Sequence, residues 1–151
     1  MTAREPAAYH EAGHAFVGHW YGARALLVQV DEGAAGRTVF AESTFTGERA
    51  IRTAMAGPAA EYMYAHPDAD GFTLAECNAS TVDLQEVDNY CADFPPEGGQ
   101  RVREQVWAET CEVLRSHWPD VQALAGLIIE NECVRGHTLA ALLNKNGRDT
   151  T

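Results

Sequence analysis

Ala8-Tyr9-His10-Glu11-Ala12-Gly13-His14-Ala15 is the stretch from which the rest of this chain can be read. It lies inside a helical pattern covering about residues 6–20. Pro6 suits a first helical turn, Ala7, His10, Ala15, Phe16 and Val17 supply apolar faces, and Gly22 follows the end. Residues four apart on a helix share a face, so His10 and His14 of this H-E-x-x-H can grip one ion. Imidazole pairs suit zinc, which lowers the pKa of its water to ~7 and polarises a scissile carbonyl. Glu11 lies about 100° round the helix. From there it can reach that water without being a ligand, and act as general base in peptide hydrolysis.

A catalytic zinc needs a third protein ligand. The metzincin pattern would put Gly at Val17 and His at Trp20, and neither is present. His19 falls one residue short and reads as a partly exposed helix residue. A carboxylate from a later helix is left, with Glu61, Asp83, Glu86 and Asp88 as candidates. Glu61 has the longer side chain, on a helix expected to pack against the histidines. Asp83 follows a loop of small and polar residues that can be shaped to bring it close, though an Asp in a first turn also complements the helix dipole. The residues by themselves leave Glu61 and Asp83 both open.

Outward from the motif, residues 25–30 and 37–41 read as two strands of a hairpin around a turn at 31–36. The helical period returns over 47–64, where Gly57-Pro58 predicts a kink or a break. Residues 66–78 read as loop, and Ser80 as N-cap of a helix bearing Val82, Leu84, Val87 and Tyr90. Pro95-Pro96-Glu97-Gly98-Gly99 reads as a decisive break. Helices over about 100–117 and 119–132 follow, then a short one from Thr138 and a frayed tail at 144–151. Trp107, Trp118, Tyr62 and Tyr64 read as core or partly buried aromatics, and His66, His117 and His137 receive no role. The expected fold is mainly α (α+β), five or six helices with a small β-hairpin, in one domain with its core at 5–143.

Composition limits the function. The 151 residues are 46% hydrophobic, and 11 basic against 22 acidic side chains give a net charge of −11. Such a chain lacks the basic face that nucleic acid or an anionic membrane surface requires. No apolar h-region follows the first residues and no run approaches ~18 apolar residues, so neither export nor membrane insertion is expected. Cys77, Cys91, Cys111 and Cys133 form no C-x-x-C pair and read as reduced thiols in the cytoplasm.

Several of these segments together resemble the FtsH-type peptidases, the proteolytic domains of membrane-anchored AAA proteases. Residues 8–15 are similar to that family's zinc helix. Ala56-Gly57-Pro58-Ala59-Ala60-Glu61 resembles its Gly-Arg-Ala-Ala-Glu helix, with Pro58 in place of the Arg. Ser80-Thr81-Val82-Asp83-Leu84 resembles its Asn-Asp-Leu segment, with Val82 in place of the Asn. Leu124-Ala125 and Leu127-Ile128-Ile129-Glu130-Asn131-Glu132, followed by Gly136 and residues 138–143, resemble its C-terminal pattern. The stretch between His14 and Gly57 is shorter than in the family, which bears on the strand edge for substrate. No G-x-x-x-x-G-K-[ST] phosphate loop is present, so the 151 residues carry no ATPase.

The resemblance implies that Asp83 is the third zinc ligand and that Glu61 matches a non-ligand Glu, a carboxylate able to hold a histidine by its free N–H. It implies one Zn2+ and hydrolysis of flexible or unfolded polypeptides, with a separate ATPase or a homo-oligomer as possible partners. The alternative is a zinc-binding interaction or regulatory module that keeps the fold without proteolysis. The cysteine spacing yields one prediction. Thiol titration of the denatured protein, prepared without reductant, should find four free thiols. Two would mean a disulfide and an oxidising compartment.

Overall fold

The computed structural model describes residues 3–41, 47–77 and 81–144; of Thr81 and Val82 it describes the backbone alone. Its elements are α1 (Arg4–Trp20), β1 (Ala25–Val30), β2 (Gly36–Phe40), α2 (Gly47–Ala65), a 3-10 turn (Leu74–Glu76), α3 (Thr81–Cys91), α4 (Pro96–Ser116), α5 (Trp118–Asn131), β3 (Cys133–Arg135) and α6 (Gly136–Leu143). The fold is mainly helical with one small antiparallel sheet, as the periodicity predicts. The Ser80 cap and the tail from 145 onward lie outside the described residues.

The crossing of α1 and α2 organises the molecule. α2 buries a stripe of small residues, among them Ala56, Ala59 and Ala60, against the Ala8, Ala12 and Ala15 side of α1. Gly13 sits at the closest point. A Cβ there would strike the Ala56 carbonyl oxygen and stand 2.7 Å from the Ala60 Cβ. Backbones this near exchange dispersion contacts along their whole overlap.

Two proline expectations are corrected. α2 runs through Pro58 to Ala65 without the predicted break. Pro58 forfeits its hydrogen bond to the preceding turn, a cost of about 3 kcal/mol. It is buried, as are its α2 neighbours from Ala50 to Ala60, and that packing offsets the cost. The break expected at Pro95 to Gly99 falls earlier, at residues 92–95 between α3 and α4, and Pro96 to Gly99 already belong to α4. Pro96 occupies the first turn, where the missing N–H has no intrahelical partner in any case. Gly99 closes that turn on the Pro95 carbonyl at 2.8 Å, and a Cβ on it would lie 2.7 Å from the Cys91 carbonyl.

The sheet has the order β2-β1-β3, so the hairpin gains a strand that the sequence does not reveal. Three residues are too few for an alternation signal. β3 forms because Glu132, at φ +63°, turns the chain back after α5 and its carbonyl accepts from the Val30 N–H at 2.9 Å. Val28, paired with Thr38 and Val134, and Val30 face the core. Arg4 fastens the start of α1 to this corner. Its guanidinium donates to the carbonyls of Asp31 at 3.1 Å and Ile129 at 3.1 Å, the second a helix-end carbonyl with no intrahelical donor.

A second cluster of buried side chains, Ile51, Met55, Val87, Cys91 and Val106, seats α3 and α4 on the far side of α2. Val87 and Asp83 are four apart on α3, so burying Val87 turns Asp83 toward α2. Leu84, on the next face, is exposed. All four cysteines are unpaired, and among the described residues no helix is long and apolar enough to cross a membrane.

The α1–α2 contact makes Gly13→Ala a test of the crossing. Alanine gains roughly 1 kcal/mol of helix propensity, but a backbone carbonyl cannot yield to its methyl. Overpacking should win, with a net loss of about 1–3 kcal/mol in urea denaturation.

Candidate metal centre

α1 presents His10 and His14 one turn apart, and α3 brings Asp83 to the same point. One ligand atom from each lies within 4.8 Å of the others. Asp83 Oδ2 is 3.3 Å from His10 Nε2 and 3.7 Å from His14 Nε2. A tetrahedral zinc with bonds of 2.0–2.1 Å separates its ligand atoms by about 3.3 Å. The donor set therefore fits one such ion.

The outer nitrogen of each ring is already committed. His14 Nδ1 donates to the Thr53 carbonyl at 2.6 Å, and His10 Nδ1 meets Glu61 Oε1 at 2.9 Å. A carbonyl only accepts, so the His14 proton sits on Nδ1 and its Nε2 lone pair is left for a cation. Burial pulls the His10 pKa down, but hydrogen bonds to Asp83 and Glu61 outweigh it and push it up to about 9. Burial and the charge of His10 hold His14 below its ordinary value. For His10 the two carboxylate hydrogen bonds outweigh burial; for His14 burial and the charge of His10 outweigh the opposing pull of Asp83, Glu11 and the Thr53 carbonyl.

Thr53, Gly57 and Glu61 recur every four residues on α2 and so form one stripe behind the two histidines. Gly57 is the middle of it. A Cβ there would strike His14 Nε2 and stand 2.7 Å from His10 Nε2. The Gly of Gly57-Pro58, read from sequence as a breaker, is the space the imidazoles occupy.

Glu11 is buried beside the histidines, and its Oε1 accepts from the Thr38 hydroxyl of β2 at 2.8 Å. A cleft of about 340 Å³ opens here, lined by Glu11, His14, Thr38, Phe40, Thr53 and Asp83 among others. β2 is the edge strand of the sheet, and among the described residues only β1 pairs with it. A strand edge thus runs along the cleft.

Not every predicted candidate converges. Glu86 lines the cleft but stands outside the ligand cluster, and Asp88 is exposed and paired with Arg103 at 2.8 Å. His19, read as partly exposed, is buried, and it lines a separate small cavity with Arg24 and His137. Thr53 and Thr38 carried no sequence signal. The first acts through a backbone carbonyl that any residue has, and the second is one Thr in a strand.

Comparison with known proteins finds no family model that matches this chain and no curated protein that matches it.

The geometry separates Asp83 from Glu61 experimentally. Asp83→Ala should weaken zinc binding sharply, since two imidazoles remain, whereas Glu61→Ala should cost ~10–100-fold, as for other groups that hold a ligand rather than the metal. Chelator competition measures both. Loss of metal in Glu61→Ala with retention in Asp83→Ala would reverse the assignment.

Proposed function

We propose that this protein is a zinc-dependent metallopeptidase of the FtsH type, acting on flexible or unfolded polypeptides in the cytoplasm. The observation that carries the reading is the convergence of His10 Nε2, His14 Nε2 and Asp83 Oδ2 at distances suited to one ion, with Glu11 beside them on an open cleft. When bound, zinc supplies Lewis acidity, polarising the scissile carbonyl and acidifying a water.

The chain's own residues would do the rest. His10, His14 and Asp83 hold the ion, and the acceptors at Thr53 and Glu61 keep both rings oriented. Glu11 takes a proton from the attacking water as the new C–O bond forms. It then returns that proton to the amine nitrogen as the C–N bond breaks. An extended substrate can lie along the edge of β2, with main-chain hydrogen bonds giving affinity without demanding one sequence. The 151 residues carry no phosphate loop to couple unfolding to nucleotide hydrolysis. Stable folded proteins are therefore poor substrates unless a separate ATPase delivers them.

A zinc-binding interaction module is the second reading. Its support in sequence was the short stretch between His14 and Gly57, which cast doubt on a strand edge. The edge of β2 beside the cleft favours the peptidase. So does Glu11, since a structural zinc has no use for a carboxylate next to an open position.

Glu11→Gln tests the choice. Gln is nearly isosteric and Glu11 is not a ligand, so fold and zinc content should persist. Hydrolysis of casein or a fluorogenic peptide should fall by at least ~10²-fold. Equal activity of the two proteins would overturn the peptidase reading.

A further inference from the structure

We infer that Thr38 is a positioning residue for Glu11, holding the carboxylate where it can take a proton; this rests on the peptidase reading above. Gly36, Thr38 and Phe40 alternate along β2 and so share one face. Pairing of Thr38 with the buried Val28 turns that face toward the core. All three meet α1. A Cβ on Gly36 would lie 2.7 Å from Glu11 Cγ and 2.9 Å from its Oε2. The Thr38 hydroxyl is 2.8 Å from Glu11 Oε1 and 3.2 Å from the Glu11 carbonyl oxygen. The Phe40 ring occupies the place a side chain at Gly18 would take, 2.6 Å from such a Cβ.

This contact supplies what α1 alone cannot. α2 holds the outer nitrogen of each histidine, and a bound ion would hold the other. Glu11 is no ligand, and its three side-chain torsions would otherwise leave the carboxylate free to swing. Thr38 is β-branched and stiff at χ1. Its hydroxyl is therefore a fixed donor to Oε1, while the bare Gly36 lets Oε2 and Cγ rest against the strand. The remaining lone pairs of the carboxylate serve the water. A base misplaced by a fraction of an ångström loses much of its effect. Alternation makes the arrangement depend on register, because a one-residue slip would bring Arg37 to this face in place of Thr38.

The test compares Thr38→Val, which keeps the shape and removes the donor, with Thr38→Ser, which keeps the donor. With zinc-loaded protein and a fluorogenic peptide, Thr38→Val should lower kcat by ~10–100-fold, the scale of a lost hydrogen bond to a charged group. KM should stay within about twofold, and zinc affinity by chelator competition should equal that of the wild type. Thr38→Ser should recover most of the rate. Gly36→Ala, which pushes the carboxylate from its seat, should lower kcat in the same way with the metal retained. An active wild type with an equally active Thr38→Val would overturn the role of Thr38 and leave the peptidase reading standing. A loss carried by KM or by zinc affinity, or a Ser variant as impaired as Val, would also overturn it. A zinc-loaded wild type with no hydrolysis at all would overturn the peptidase reading, and this role with it.

Discussion

Two helices cross so closely that each needs a glycine at one point of the contact, where a Cβ would collide. Gly13 on α1 lies against the backbone of Ala56, and Gly57 on α2 lies against the rings of His10 and His14. This one crossing carries both the packing and the site. The same overlap that buries the alanine stripes brings Thr53 and Glu61 to the outer nitrogens of the histidines. Widening it to admit a side chain would loosen the core and release the rings together.

Around that crossing each element has a separate task. α1 supplies the imidazoles and Glu11. α2 fixes the rings from behind, and the second cluster of buried residues rotates α3 so that Asp83 faces inward. The small sheet contributes the edge of the cleft and the hydroxyl that meets Glu11. In a chain of net charge −11, the two imidazoles stand among carboxylates from three helices: Glu11, Glu61 and Asp83. That arrangement favours a cation on electrostatic grounds alone.

The proposed chemistry asks little of the rest of the molecule. Ligands, base and strand edge all lie on α1, α2, α3 and β2. α4, α5, β3 and α6 complete the core that holds those four in place. The larger buried cluster joins α1 and α2 to α5 and α6 through Phe16, Leu124, Ile128 and Leu139. Substitutions there should act through stability rather than through the site.

The sequence by itself determined the helices, the β1–β2 hairpin and the pairing of His10 with His14, because all of these are periodic along the chain. It also narrowed the candidates for a third ligand to a few acidic residues. The short β3, the continuity of α2 through Pro58 and the use of Pro96 as a helix start were decided by tertiary packing. In each, a weak or adverse local preference was outweighed by burial or by a hydrogen bond to a distant segment. The same holds within the site. That Asp83 approaches the histidines while Asp88 does not follows from which face of α3 buries Val87. That Thr53 serves His14 follows from a backbone carbonyl placed by the crossing. Local pattern specifies which face of an element is apolar. Only the packed structure specifies which polar groups that burial brings together.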